Sequence, residues 1–211
     1  VEWHLEDSGG MKKSIAISLC LFVMICHALA DPASKRRAGM KDRAAEPRYI
    51  SESPLPEGWP EPGPFNQVAL KKYPAYRAAF TRGKRPNGEF MTLFRHIKRN
   101  EIPMTAPVEM KLDPESKESP DMEQMAFLYQ NQSVGKTGAD GEEVEVRDVP
   151  SSEALSYAWQ GPRSMAGKAR EAVDAELSKL GRKAREYRLL GYNSPFVPRA
   201  KQTHELQAVL E

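Results

Sequence analysis

FMTLFRHIKRNEIPMTAPVEMKL, Phe90 to Leu112, is the stretch from which the fold can be read. Phe90, Leu93, Phe94 and Ile97 recur at i, i+3, i+4 and i+7, which is one face of a helix running from Gly88 to Arg99. Pro103 stops the helix and pushes Ile102 into extended geometry. A strand from Met104 to Leu112 follows, with Val108, Met110 and Leu112 on one face. A second amphipathic helix, Ser164 to Leu180, with a Gly181 stop, leads in the same way into REYRLLGYNSPF, Arg185 to Phe196. Two helices that each feed a strand with a proline close by point to a duplicated unit.

The flanking elements repeat as well. Gln67–Tyr73 and Tyr76–Arg82 read as strands separated by Pro74, before a Gly83–Gly88 turn cluster. Val144–Val149 with Pro150, and then Ala154–Gly161, answer them in the second half. Asp113–Asp121 is polar and reads as a loop, and Gln124–Gln130 is a strand. Asn131–Gly141 is rich in glycine and polar residues and reads as a loop between halves. Tyr187–Tyr192 and Thr203–Leu210 complete the pattern. Each half is strand, strand, helix, strand, strand, so the expectation is an α+β domain of eight strands and two helices.

Residues 65–211 form this expected domain. Residues 1–10 are an upstream extension, and residues 11–30 read as a signal peptide. Lys12 and Lys13 make its charged start, Ser14–His27 its apolar core, and Ala28-Leu29-Ala30 a small-x-small site for a cut after Ala30. The apolar core is too short for a stable membrane span. The acidic stretch before Met11 suggests that translation starts at Met11. Residues 31–64, with prolines at 47, 54, 56, 60, 62 and 64, read as a linker or N-terminal arm, in which Trp59 either docks or stays exposed. The expected location is periplasmic or secreted. Both cysteines of the chain, Cys20 and Cys26, fall inside the signal, so the mature chain has no thiolate chemistry and no disulfide framework. The net charge of +2 comes from dispersed bases and acids, with no basic stripe for nucleic acid.

The helix-to-strand segment resembles the SOUL haem-binding family, in which a Phe-x-x-Leu-Phe helix leads to Ile-x-Met-Thr-Ala-Pro-Val. Phe90, Leu93, Phe94, Ile102, Met104, Thr105, Ala106, Pro107 and Val108 carry the match. KKYP (Lys71–Pro74), GYNSPF (Gly191–Phe196) and HELQAVL (His204–Leu210) are similar to other family elements and stand in the family order. Ser194 replaces a proline that is common there. The resemblance implies a distorted eight-stranded antiparallel β-barrel with two helices and a pseudo-twofold repeat, like the effector-binding domains of multidrug-responsive regulators. It also implies haem or another porphyrin, a small hydrophobic planar ligand, bound in a hydrophobic cleft beside the first helix.

A porphyrin needs apolar walls for its ring and cations for its propionates. Met91, Phe94 and Met104 supply candidate walls, and Arg95 and Lys98 candidate cations. Each admits a plainer role: Met91 and Lys98 as the flank of an amphipathic helix, Arg95 as a solvated base, Met104 as core packing. His96 and His204 are the only histidines of the mature chain. His96 lies on the flank of the apolar face, either replacing an aromatic residue or serving as an axial ligand to the metal. His204 reads as structural. No nucleophile elbow, phosphate loop or metal-ligand spacing occurs. The expectation is therefore a non-enzymatic binder of haem or another tetrapyrrole. The alternative is a sensor or enzyme acting on another small hydrophobic ligand in the same cleft.

Overall fold

The two halves meet where β3 (Val108–Leu112) pairs antiparallel with β8 (Ala184–Gly191). Met110 stands opposite Leu189, flanked by Val108↔Gly191 on one side and Leu112↔Tyr187 on the other. This pair marks a local twofold axis. The computed structural model describes residues 47–83, 88–113 and 122–211. The signal, the upstream extension, the first part of the arm and most of the Asp113–Asp121 loop lie outside the described residues.

The remaining elements are β1 (Val68–Tyr73), β2 (Tyr76–Thr81), α1 (Glu89–Arg99), β4 (Met122–Leu128), β5 (Gly138–Asp140), β6 (Val144–Val149), β7 (Ser152–Gln160), α2 (Ala166–Leu180) and β9 (Thr203–Leu210). They form one antiparallel sheet ordered β1-β7-β9-β8-β3-β4-β2-β6-β5. The expected α+β architecture with a duplicated unit is present, with two corrections. The barrel is approximate, because β1 and β5 are free edges of an open sheet. A ninth strand, β5, lies in the stretch read as a loop; it is short and pairs Gly138–Asp140 with Val144–Val146.

Register makes the duplication quantitative. Val68 plus 76 is Val144, and Thr81 plus 76 is Tyr157; the pair Val68↔Tyr157 thus maps onto Val144↔Thr81. Likewise Tyr73↔Ser152 maps onto Val149↔Tyr76. Each half lends its first strand to the other: β1 pairs with β7, and β6 with β2.

Strand alternation gives the sheet two unlike faces. Both helices cover one. Leu93 and Ile97 of α1 are buried with Ala79, Phe127, Val144 and Val146. Ala169, Val173 and Leu177 of α2 are buried with Met110, Leu189, Leu206 and Trp159. Gly181 ends α2 at φ 60°, and the Arg182 amide donates to the Leu177 carbonyl at 3.0 Å. The opposite, inner face carries Tyr73, Tyr76, Ala126, Leu190 and Val209, together with charged residues described below.

The inner face is covered by the proline-rich segment read as a linker or N-terminal arm, and within it Trp59 docks. Trp59 is 5% exposed and packs on Tyr73 and Tyr76 at ring distances of 4.8 and 5.3 Å. The Ala106 amide donates to the Pro54 carbonyl at 3.0 Å, and the Glu57 amide to the Gln130 carbonyl at 2.8 Å. The Glu52 carboxylate accepts from the Ser194 amide and hydroxyl, both at 2.8 Å. Proline removes amide donors, yet carbonyls and one large ring suffice to dock an extended chain. Residues 47–64 thus belong to the same compact unit as residues 65–211.

Trp59→Ala should cost about 3–5 kcal/mol of stability, as for other buried large aromatics. It should also expose the 47–64 segment to limited proteolysis. Urea unfolding with a loss below about 1 kcal/mol and an unchanged cleavage pattern would return the segment to a linker role.

Candidate functional site

The first helix presents three surfaces. Its buried side is Glu89, Thr92, Leu93, His96 and Ile97. Phe90 and Met91 are 42% and 52% exposed. Phe94 is half-buried, with its ring nearly parallel to that of Phe90 (12°, 6.1 Å). Phe90 also meets Phe127 edge-on at 5.0 Å. The Lys98 ammonium lies 5.5 Å from the Phe94 ring centre. Phe90, Met91, Phe94 and Lys98 thus form an exposed apolar ridge with a cation at one end. Arg95 is exposed, and its Nε donates to the Met91 carbonyl at 3.2 Å. Periodicity groups Phe90 with Leu93, Phe94 and Ile97 on one face; in the structure Phe90 is exposed at the edge of that face and His96 is buried.

His96 is 3% exposed and both its ring nitrogens are engaged. Nδ1 contacts the Asp140 carboxylate, and Nε2 lies 2.7 Å from the Tyr129 hydroxyl. With Nδ1–H donating to the carboxylate, Nε2 is the acceptor for the tyrosine proton. Arg99 and Asn100 also donate to Asp140, at 2.6 and 3.1 Å. Burial pushes the Asp140 pKa up, but these donors, led by Arg99, outweigh it and hold it below the usual carboxylate value. Burial, followed by the charge of Asp140, pushes the Tyr129 hydroxyl up to about 12. This chain of bonds ties α1 to the short β5, which explains both the unexpected strand and the inward histidine. Both imidazole nitrogens are thus engaged by protein groups.

Met104 is half-buried against the core beneath α1, with Leu93 and Ile97. Phe94 of the ridge packs against the same cluster. Thr105 donates to the Leu128 carbonyl at 2.6 Å, which anchors the approach to β3. The cavity beside α1 measures 280 Å³ and is lined by Thr92, Arg95, His96, Arg99 and Asp140. It is polar, and smaller than the roughly 300–1,000 Å³ of a pocket that encloses a ligand. Among the described residues, the exposed ridge of α1 thus stands beside this polar recess.

A second constellation escaped the sequence reading. On the inner face Arg188 is 2% exposed, and its Nη1 donates to Glu109 Oε2 at 3.1 Å and to the Tyr76 hydroxyl oxygen at 2.9 Å. The Tyr76 hydroxyl donates to Glu109 at 2.8 Å, and Arg188 Nε to Gln207 at 2.6 Å. Glu205, fully buried, accepts from Tyr73, Ser156, Gln207 and Lys71. Burial works against the Arg188 charge, but Glu109, Tyr76 and Tyr73 more than offset it and keep the guanidinium protonated. Burial also pushes Tyr73 and Tyr76 well above the ordinary phenol range. Glu109 and Tyr76 floor a 280 Å³ cleft shared with Phe80, Lys111, Arg147 and Glu186. The available signal was the alternation of β3: if Val108, Met110 and Leu112 face the helices, Glu109 and Lys111 face the other way. Only the docked arm makes that other side an interior.

Among the described residues, no group of three or more His, Cys, Asp or Glu could hold a metal ion, and no helix is long and apolar enough to cross a membrane. Residues 59–208 match the family described as SOUL heme-binding protein. No match was found among curated protein sequences. Among solved structures, the EcmrR C-terminal domain is similar at a TM-score of 0.54 and 15% identity, covering 69% of this chain and 97% of that one. A hydrolase from Listeria innocua is similar at a TM-score of 0.52 and 15% identity, covering 70% and 93%. At these identities the two likenesses describe the fold alone.

His204, 8% exposed, stacks on Trp159 at 5.4 Å, and its Nδ1 has no hydrogen-bond partner. Burial, then the charge of Arg163, lowers its pKa from 6.5. The folded state holds it neutral, so its contribution to stability is present above pH 6.5 and is lost as pH falls below that value. Urea midpoints measured between about pH 8 and pH 5 should fall less steeply in His204→Gln than in the parent. Equal slopes would show that His204 does not titrate on unfolding.

Proposed function

The chain belongs to the SOUL heme-binding protein family, and from that premise we propose that it binds haem or another porphyrin reversibly on the exposed ridge of α1. The observation that carries this reading is the adjacent exposure of Phe90 and Met91, joined to Phe94 and ending at Lys98. Exposed apolar groups in contact mark binding surfaces, whereas isolated ones do not. Phe90, Met91 and Phe94 suit one face of a flat macrocycle. Lys98 and Arg95 supply cations for its propionates. Bound haem would contribute its planar ring and its iron. His96 contributes no bond to the metal in this reading; with Asp140 and Tyr129 it fixes the pitch of the helix that carries the ridge. Met104 serves the core beneath α1.

The reading includes action outside the cytoplasm, as a secreted or periplasmic protein. It is supported by the charged start, apolar core and small-x-small site between Met11 and Ala30, and by the lack of cysteine beyond Cys26. Intact-mass analysis of the protein recovered from fractionated host cells should give a chain starting at Asp31. A retained Met11–Ala30 segment would remove the cleaved-signal reading.

Glu109 favours a second reading. Tyr76 and Arg188 orient this carboxylate at the floor of the inner cleft, an arrangement suited to a sensor or hydrolytic enzyme for another small ligand. Co-purification of a non-porphyrin molecule, identified by mass spectrometry, would select it.

Haemin titrated into the mature protein should shift the Soret band at micromolar concentration. Losing the contact of one large apolar side chain is worth about 1.5–3 kcal/mol, so the double variant Phe90→Ala, Met91→Ala should bind roughly ten- to hundredfold more weakly. Folded His96→Ala should give the parent spectrum. No Soret shift would defeat the porphyrin reading, and an altered spectrum in His96→Ala would restore the axial role.

A further inference from the structure

The inner-face cluster has the composition of a cation-binding cage whose cation is already in place. The Arg188 guanidinium carbon lies 5.7 Å from the Trp59 ring centre, 5.2 Å from Tyr73 and 5.9 Å from Tyr76. Aromatic faces at that range, together with carboxylates, are the means by which proteins recognise organic cations. Glu109 binds the guanidinium directly, and Glu205 is joined to it through Gln207. The walls come from five separate elements: Trp59 from the docked arm, Tyr73 from β1, Tyr76 from β2, Glu109 from β3, and Glu205 with Gln207 from β9. The fold therefore builds the cage around a side chain projecting from a sixth element, β8.

Two further features distinguish the cluster from an ordinary core ion pair. Arg188 Nη2 is buried without a hydrogen-bond partner, so the resident cation leaves one of its own donors unsatisfied. The compartment also connects to the surface, because Glu109 and Tyr76 are shared with the 280 Å³ cleft. Its charges balance as they stand, with Lys71 and Arg188 against Glu109 and Glu205. Without Arg188, two carboxylates would face one ammonium.

We propose that this cage is a recognition site for guanidinium-type organic cations that the chain keeps occupied with its own Arg188. The intramolecular occupant closes the inner face to external cations. This proposal is independent of porphyrin binding on α1.

The test is to remove the occupant and offer a replacement. In the mature chain, Arg188→Ala should gain a saturable change in tryptophan fluorescence and a rise in Tm with methylguanidinium, beyond that given by sodium chloride at equal ionic strength. The parent should give neither. Adding Glu109→Gln should weaken the response roughly tenfold or more, because a charged hydrogen bond is lost. Arg188→Met, which refills the cage with an apolar chain, should fold and not respond. If Arg188→Ala is unfolded alone, methylguanidinium should raise its refolding yield above the salt control. The proposal is overturned if Arg188→Ala, folded or unfolded, responds no more than to salt, or if Arg188→Met responds equally.

Discussion

The pairing of β3 with β8 is the constraint on which the rest of this molecule depends. On one side of the sheet it sets Met110 against Leu189, which joins the apolar layers under the two helices. On the other side it brings Glu109 and Arg188 together in a buried ion pair. Such a pair adds little net stability over apolar packing, but breaking it costs about 3–5 kcal/mol. A slip of one residue would exchange the two faces, putting charges beneath the helices and Met110 among the tyrosines. The register is thus specified twice, by an apolar row and by a charge pair.

That division of faces governs where a ligand can sit. The inner face is committed to an internal network and is covered by the arm from Pro47 to Pro64, with Trp59 as its anchor. The helix-bearing face is committed to packing, except along the outward side of α1. There Phe90 and Met91 are held outward because His96, further along the same helix, is bonded to Asp140 and Tyr129. The same polar chain that engages both nitrogens of the histidine therefore orients the ridge to which we assign the porphyrin. The hydrogen bonding of His96 and the exposure of Met91 are two consequences of one helix rotation.

Much of this architecture was legible in the sequence. The helix-to-strand segment from Phe90 to Val108, the answering order of elements and the α2 stop at Gly181 come from local chemistry and period, and the structure retains them. The docking of 47–64 was legible only as one of two alternatives, because it depends on Tyr73 and Tyr76, which are distant in sequence, and on carbonyl acceptors that proline leaves intact. β5 was missed because Gly138–Asp140 has no strand propensity of its own; Asp140 is held by α1. Helical periodicity put His96 on the flank of the apolar face, but Asp140 and Tyr129 satisfy an imidazole inside. Arg188, Glu109 and Glu205 do not stand out in the sequence, since nothing local indicates that both faces of their strands are covered. Family resemblance specified the fold far better than it specified the ligand contacts, because most of its matching residues pack and few reach the ridge.

The central claim concerns location: porphyrin on the α1 ridge and not in the inner cleft. Paramagnetic broadening of assigned backbone amide signals by ferric haem reads location directly, because it falls steeply with distance from the iron. The account predicts the strongest broadening from Phe90 to Lys98, with the amides of Glu109, Arg188 and Glu205 sharp. Broadening centred on those three residues, with α1 unaffected, would contradict it.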